Sequence, residues 1–216
     1  MFSTEKFNFG TILTCIHFLV TYLGLAVCSL FGVFTPKKIN IRAVLPICVS
    51  FCGFVILTNL SLVYNSIGFY QIAKVGTMPT VMMIQIIFYE MHFSSAIKRC
   101  IAVICFGVII ASATDVDVNF IGSMIAASAC LSTALYQIWI GTTQKDLGLD
   151  SMQLLYYQAP ISGLLLLPLI PILDDFPKFL SFEWNLSAIT AISISATLAF
   201  FVNLSTFLTI GRFSAM

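Results

Sequence analysis

Lys74 is the one charged residue between Arg42 and Glu90. A charge at the centre of a membrane-spanning helix costs about 2.5–3.5 kcal/mol. A chain that keeps one there offers it to an anion, a counter-ion or water. The chemistry it could do is anion binding, phosphate above all, at mid-membrane. The alternative is a lysine that snorkels to a headgroup, since about six residues into a helix is roughly 9 Å of depth. Its neighbours favour the binding reading. Tyr70, Gln71 and Thr77 are polar, and Gly68, Gly76 and Pro79 interrupt the helix. Interrupted helices are where transporters expose groups to substrate.

Other polar groups qualify as helpers. Thr58, Asn59 and Ser61 lie late in the preceding apolar run and could donate to phosphate oxygens. They could equally make interhelical hydrogen bonds, worth about 0.6 kcal/mol in membranes. Tyr156-Tyr157-Gln158-Ala-Pro160 is balanced between interface anchors and a platform for a base or sugar. His17 stands alone among apolar residues and reads as packed and hydrogen-bonded rather than as a proton relay. Gly122, Ser123, Ala126, Ala127 and Cys130 have small-residue spacing that suits close helix packing. Asn185-Leu-Ser187 fits a glycosylation sequon, though too close to the membrane to serve. The chain shows no Ser/His/Asp set, metal-spaced cluster or phosphate-cradling glycine loop. The two histidines, His17 and His92, fall at different depths. No enzyme, metal or cofactor is expected. Of the seven cysteines, all but Cys100 lie inside apolar runs and read as small hydrophobes.

Hydrophobic residues are 59% of the chain and charged residues 9%. A soluble domain has about 25% charged residues, so lipid is the solvent. A net charge of +1 with scattered basic residues argues against nucleic acid. The sequence predicts an all-α transmembrane protein with about seven spanning helices. They run over about 8–30, 45–64, 68–89, 96–114 (extending through Ser95), 119–142, 152–173 and 186–210. The loops are short, so 1–216 reads as a single transmembrane domain. Its first half is about 8–114 and a partial second half about 119–211. Lys37, Lys38, Arg42, Lys98, Arg99, Lys145 and Arg212 fall on one side, and only Lys6 and Lys178 on the other. The poorly basic side also carries Asp115, Asp117, Asp174, Asp175 and Glu183. The basic loops are therefore expected in the cytosol.

Asn59-Leu-Ser61 recurs as Asn203-Leu-Ser205, 144 residues later, in the second and seventh spans. Five helices separate the copies, so they run in opposite directions, as in an inverted repeat. A five-helix repeat leaves one helix expected before Met1 and two after Met216. On that count the chain reads as a fragment or truncated form.

At these residues the chain resembles the triose-phosphate translocator and nucleotide-sugar transporter family of the drug/metabolite transporter superfamily. It is nearest the solute carrier family 35 member E3-like group. The residues that carry the resemblance are Asn59-Leu-Ser-Leu, Asn65-Ser-Ile-Gly-Phe-Tyr-Gln-Ile-Ala-Lys74, Leu154-Leu-Tyr-Tyr-Gln-Ala-Pro160 and Phe201-Val-Asn-Leu-Ser-Thr with Ile210-Gly-Arg212. The resemblance implies an incomplete form of a ten-helix inverted-repeat (5+5) transporter. It also implies exchange of a nucleotide sugar or phosphorylated sugar for a nucleotide monophosphate or phosphate. Lys74 matches the family's phosphate-binding lysine and Thr58 its phosphate-contacting threonine. Val55 stands where plastid members have histidine, so sugar-phosphate specificity does not carry over. The family's second cationic site, on a helix following Ile-Gly-Arg, would fall beyond Met216. The expected substrate-contacting residues are Lys74, Thr58, Asn59, Tyr70, Gln71, Tyr157, Gln158 and Asn203. The expected partners are that substrate, its counter-substrate and the lipid bilayer, with homo-oligomers left open, and the expected location is the Golgi membrane or the ER. A non-transporting truncated isoform that pairs with full-length transporters is the alternative.

Overall fold

The computed structural model describes residues 9–113 and 120–214. Lys6, Asn8, Thr114, Asp115, Asp117 and Asn119, which entered the span and charge readings above, lie outside them. Ten α-helices form among the described residues: α1 Gly10–Leu30, α2 Leu45–Tyr64, α3 Ile67–Val75, α4 Thr77–Tyr89, α5 Ser95–Ala113, α6 Phe120–Leu147, α7 Ser151–Leu166, α8 Ile170–Leu173, α9 Phe176–Leu180 and α10 Leu186–Ser214. No strand is present among them. Among the described residues six stretches are long and apolar enough to cross a membrane: Gly10–Leu30, Leu45–Tyr64, Gly68–Tyr89, Phe120–Leu147, Ser151–Leu173 and Leu186–Arg212. They coincide closely with six of the seven predicted spans. The remaining span forms α5, a helix of 19 residues.

The helix ends explain most boundaries. α1 stops in a Schellman turn at Gly32, with φ +74°, where Gly32 and Val33 donate to the carbonyls of Ser29 and Cys28. α6 runs five residues past its predicted end, through polar Thr142–Lys145. It stops only at Gly148, φ +56°, in the same kind of turn. Asp150 and Gln153 form a capping box that starts α7. Asn185, the sequon asparagine, accepts from the N–H of Ala188 at 2.7 Å and opens α10.

The chain divides into two compact units. Unit 1 comprises residues 1–52 and 140–216, unit 2 residues 53–139. In unit 1, α1 packs against α7 and α10, and α7 packs against α10. Tyr22 lies 5.1 Å from Tyr156, the Cys15 thiol reaches the Gly163 carbonyl, and the start of α1 meets Asp174. These contacts set α1 and α7 antiparallel. Ser151, at the start of α7, donates to Phe207 late in α10, so α7 and α10 are antiparallel as well. α1 and α10 therefore run the same way, as His17 against Ser195 near both helix starts also requires. Helices with the same direction in a membrane are separated by an odd number of crossings. Five intervene if α5 crosses and four if it does not. The parallel course of α1 and α10 is thus consistent with the seven-span reading, in which α5 crosses.

The same packing gathers Lys37, Lys145 and Arg212 at one end of unit 1. Lys37 Nζ donates to the carbonyls of Leu147 and Gly148 at 3.2 and 3.3 Å. Asp174 and Asp175 lie at the other end. Lys178, paired with Asp175, holds that carboxyl below its usual range. Asp174 is buried and accepts from Thr11 N at 3.2 Å and Ile12 N at 2.8 Å. Phe9, at the N-cap of α1, has no capping side chain, so a carboxylate more than 160 residues away supplies the cap. Phe9 also packs edge-on to Phe179 and Phe182, at 5.5 and 6.1 Å between ring centroids, which holds the two segments together.

In unit 2, α3 and α4 both pack on α5. Ile84, Ala134 and Ile138 form a small core with Val81 and Leu135. The small-residue face of α6 allows close approach: Gly122 and Ala126 are buried. The Gly122 carbonyl accepts from Asn65 Nδ2 at 2.9 Å.

Removing the remote cap tests its weight. Asp174→Ala is expected to cost about 1–2 kcal/mol, with Asp174→Asn losing less because an amide oxygen still accepts. Thermal unfolding of the detergent-solubilised chain reads this as a lowered midpoint, larger for alanine. An unchanged midpoint for Asp174→Ala would mean that the start of α1 does not depend on the carboxylate.

Candidate functional site

The span that carries Lys74 is broken, and the sequence dictates where. Pro79 has no N–H to donate to Val75. Gly76 turns the chain, donating to Ala73 O at 3.0 Å in a tightened, 3₁₀-like step. A side chain on Gly76 would meet that carbonyl. α3 therefore ends at Val75 and α4 starts at Thr77. The Ala73 carbonyl, released from the regular ladder, also accepts from the Cys130 thiol at 2.9 Å. Thr80 closes the first turn of α4 through its N–H and its hydroxyl, both to Gly76 O.

Lys74 occupies the last turn of α3, one residue from its end, where the negative pole of the helix dipole favours a cation. Its side chain is exposed on unit 2. The ammonium stands 4.9 Å from the Tyr70 ring centroid, one helical turn away. Among the described residues it makes no hydrogen bond and no ion pair. A cation–π contact is worth about 0.5–1 kcal/mol where exposed and about 2 where desolvated. The charge costs about 2.5–3.5 kcal/mol at mid-membrane. The ring therefore offsets only part of that cost.

Gln71 is exposed on the same short helix, and Tyr70 is half-buried. Thr58 and Asn59 are half-buried on α2. Neither side chain makes a hydrogen bond among the described residues, and so both hold free donors. Ser61, by contrast, is buried and its hydroxyl and carbonyl both accept from Asn65 Nδ2. Lys74, Tyr70, Gln71, Thr58 and Asn59 all belong to unit 2; Tyr157, Gln158 and Asn203 belong to unit 1.

In unit 1 the polar residues are already engaged. The Tyr157 hydroxyl donates to Lys37 O at 2.7 Å, and Tyr156 packs between Tyr22 and Phe34. Gln158 is fully buried, donates to Ser162 Oγ at 2.7 Å, and leaves Oε1 without a partner among the described residues. Its own carbonyl accepts from the Cys48 thiol. Asn203 donates to Thr21 Oγ1 at 3.2 Å. With His17 Nε2 3.0 Å from Ser195 Oγ, it forms a polar seam between α1 and α10. Close packing of the Phe200 ring over Gly24 completes that seam. His17 is thus partnered, as its isolation in sequence suggested.

Sequence reasoning missed the group around Ile210-Gly211-Arg212. Gln144 Nε2 and Ser151 Oγ both donate to Phe207 O, at 3.4 and 2.8 Å. A side chain on Gly211 would collide with the amide oxygen of Gln144 and the hydroxyl of Ser151. The glycine of that motif is therefore the imprint of two buried polar residues 60 and 67 positions upstream. Nothing in the local pattern near Gly211 announces them.

A profile of the Triose-phosphate Transporter family matches residues 4–216. UDP-xylose transporter 1 of Arabidopsis thaliana is 37% identical over 211 residues, which cover 96% of this chain and 62% of that protein. UDP-rhamnose/UDP-galactose transporter 2 of the same plant is 37% identical over 212 residues, 97% of this chain and 61% of its own length. UDP-xylose transporter 2, also from Arabidopsis thaliana, is 35% identical over 217 residues, 99% of this chain and 62% of its own. The chain spans about three fifths of the length of the curated relatives it matches.

Gly211→Ala is expected to destabilise by about 1–3 kcal/mol through overpacking. Gly107→Ala on α5, where the added carbon meets nothing, is expected to be neutral or to stabilise by about 0.5–1 kcal/mol. Paired thermal-unfolding curves check both. Equal effects at the two glycines would remove the packing explanation for the motif.

Proposed function

The chain belongs to the triose-phosphate transporter family, and from that premise we propose that it is part of a carrier for nucleotide sugars. In this reading it exchanges a nucleoside diphosphate sugar for the nucleoside monophosphate, across the Golgi membrane. The observation that carries the reading is Lys74: an exposed cation at a helix break, partnered only by an aromatic ring among the described residues. An anionic headgroup is what such a site lacks. Similarity to relatives named for UDP-xylose, UDP-rhamnose and UDP-galactose supports a UDP-sugar over a free sugar phosphate. Val55, in place of the histidine of plastid carriers, supports the same choice.

The roles follow from chemistry. Lys74 neutralises phosphate charge, and Gln71, Thr58 and Asn59 supply neutral donors to phosphate oxygens. Tyr157, Gln158 and Asn203, expected from the sequence to contact substrate, are bonded within unit 1, and the reading rests on the unit 2 residues alone. A phosphate monoester carries about −1.5 to −2 charges near neutral pH, so a diphosphate sugar and a monophosphate load the site with similar charge. Exchange of one for the other then moves little net charge across the membrane. In unit 1 the basic loop ends gather at one pole, which supports a cytosolic position for that end.

Uptake of labelled UDP-xylose or UDP-galactose into liposomes preloaded with UMP tests the reading. Lys74→Ala is expected to lower that uptake at least tenfold, with Lys74→Arg retaining more of it. Nucleotide-dependent thermal stabilisation of the solubilised chain provides a second readout. Uptake and stabilisation that survive Lys74→Ala intact would show that the anion binds elsewhere.

A further inference from the structure

We infer that Tyr70 is a placeholder for the anion, a positioning residue whose ring holds Lys74 while the site is empty and yields it when a nucleotide phosphate arrives. The inference rests on the proposed function and deepens it by assigning the state of the site between substrates.

Geometry and charge carry it. The ammonium lies 4.9 Å from the ring centroid, within the range of a cation–π contact. The two residues are one turn apart on a nine-residue helix, so the contact needs no other element and survives any movement of α3 as a body. Within unit 2 the other described charges are Glu90, Lys98 and Arg99. Glu90 is the one carboxylate among them. It follows α4, a helix of 13 residues that itself begins beyond Gly76, so it stands at the far end of that helix from the break. The lysine is thus held by a neutral partner in place of a charged one.

That choice has a functional logic. A carboxylate beside Lys74 would satisfy the cation fully and would repel an incoming phosphate. A bare cation would be expensive in hydrocarbon. An aromatic face satisfies it in part and carries no net charge, so a phosphate displaces the ring without first expelling a counter-ion. The ring also fixes where the ammonium waits, on the turn of α3 next to the break at Gly76. In the loaded state the ring is released and can lie against the nucleotide or return to packing.

Reductive ¹³C-methylation of the solubilised chain tests this directly, because methylated lysine keeps its charge and the chain has seven lysines. The Lys74 signal, identified by its loss in Lys74→Arg, is expected upfield of the other six through the ring current of Tyr70. Tyr70→Leu should return it to the common position, and Tyr70→Phe should leave it upfield. Titration with UMP or UDP-galactose should move the wild-type signal downfield towards the Tyr70→Leu position. A Lys74 signal that lies among the others in the unliganded protein would overturn the inference. So would one that stays upfield at saturating nucleotide. If nucleotide moves no lysine signal, the proposed function itself fails, and the ring-current shift in the unliganded protein reports separately on the Tyr70 contact.

Discussion

Hydrocarbon accepts no hydrogen bonds, and this constraint governs the rest of the structure. Backbone groups that lie in the hydrocarbon must be satisfied within the chain. The solutions differ with position. α1 and α6 close on left-handed glycines. α7 opens with a capping box, and α10 opens on Asn185. α1 begins under a carboxylate from across unit 1. At Gly76 the freed carbonyl of Ala73 takes a thiol donor. The charge of Lys74 is met differently: among the described residues its ammonium faces only the ring of Tyr70.

Long apolar runs made the spans legible in the sequence, and glycine and proline marked the break beside Lys74. Both signals are local, and lipid imposes a minimum length that no tertiary contact overrides. The end of α6 was not legible, because polarity at Thr142–Lys145 looks like a loop while the helix continues to the first residue able to adopt φ > 0. The cap by Asp174 was also invisible. It looked like a loop charge facing water, and only the packing of α1 against α7 turns it inward. The span over 96–114 was read from its apolar run despite Lys98 and Arg99 near the start of α5, and the parallel course of α1 and α10 is consistent with it.

The candidate site shows the same division. Lys74 stood out because a charge in an apolar run has few explanations. Thr58, Asn59 and Gln71 had weaker signals, and their side chains make no hydrogen bond among the described residues. Tyr157 and Asn203 were equally visible in sequence but are bonded within unit 1, to Lys37 and Thr21. Residue type alone does not separate a hydroxyl that waits for a ligand from one that ties two segments together. The Ile-Gly-Arg motif makes the complementary point. Its glycine serves Gln144 and Ser151, so a pattern that looks like a functional signature records packing at the end of α10.

The remote cap on α1 also sets an order of events during synthesis. Ile12 receives its bond from a residue 162 positions later. At about 5–20 residues per second, the ribosome needs roughly 10–30 s to deliver Asp174 after Ile12 has emerged. For that interval the first turn of α1 has no carboxylate to close it. It must be held by water, by the insertion machinery or by headgroups until the sixth span arrives. Completion of α1 is therefore gated by translation: its first turn closes only after the sixth span has been made.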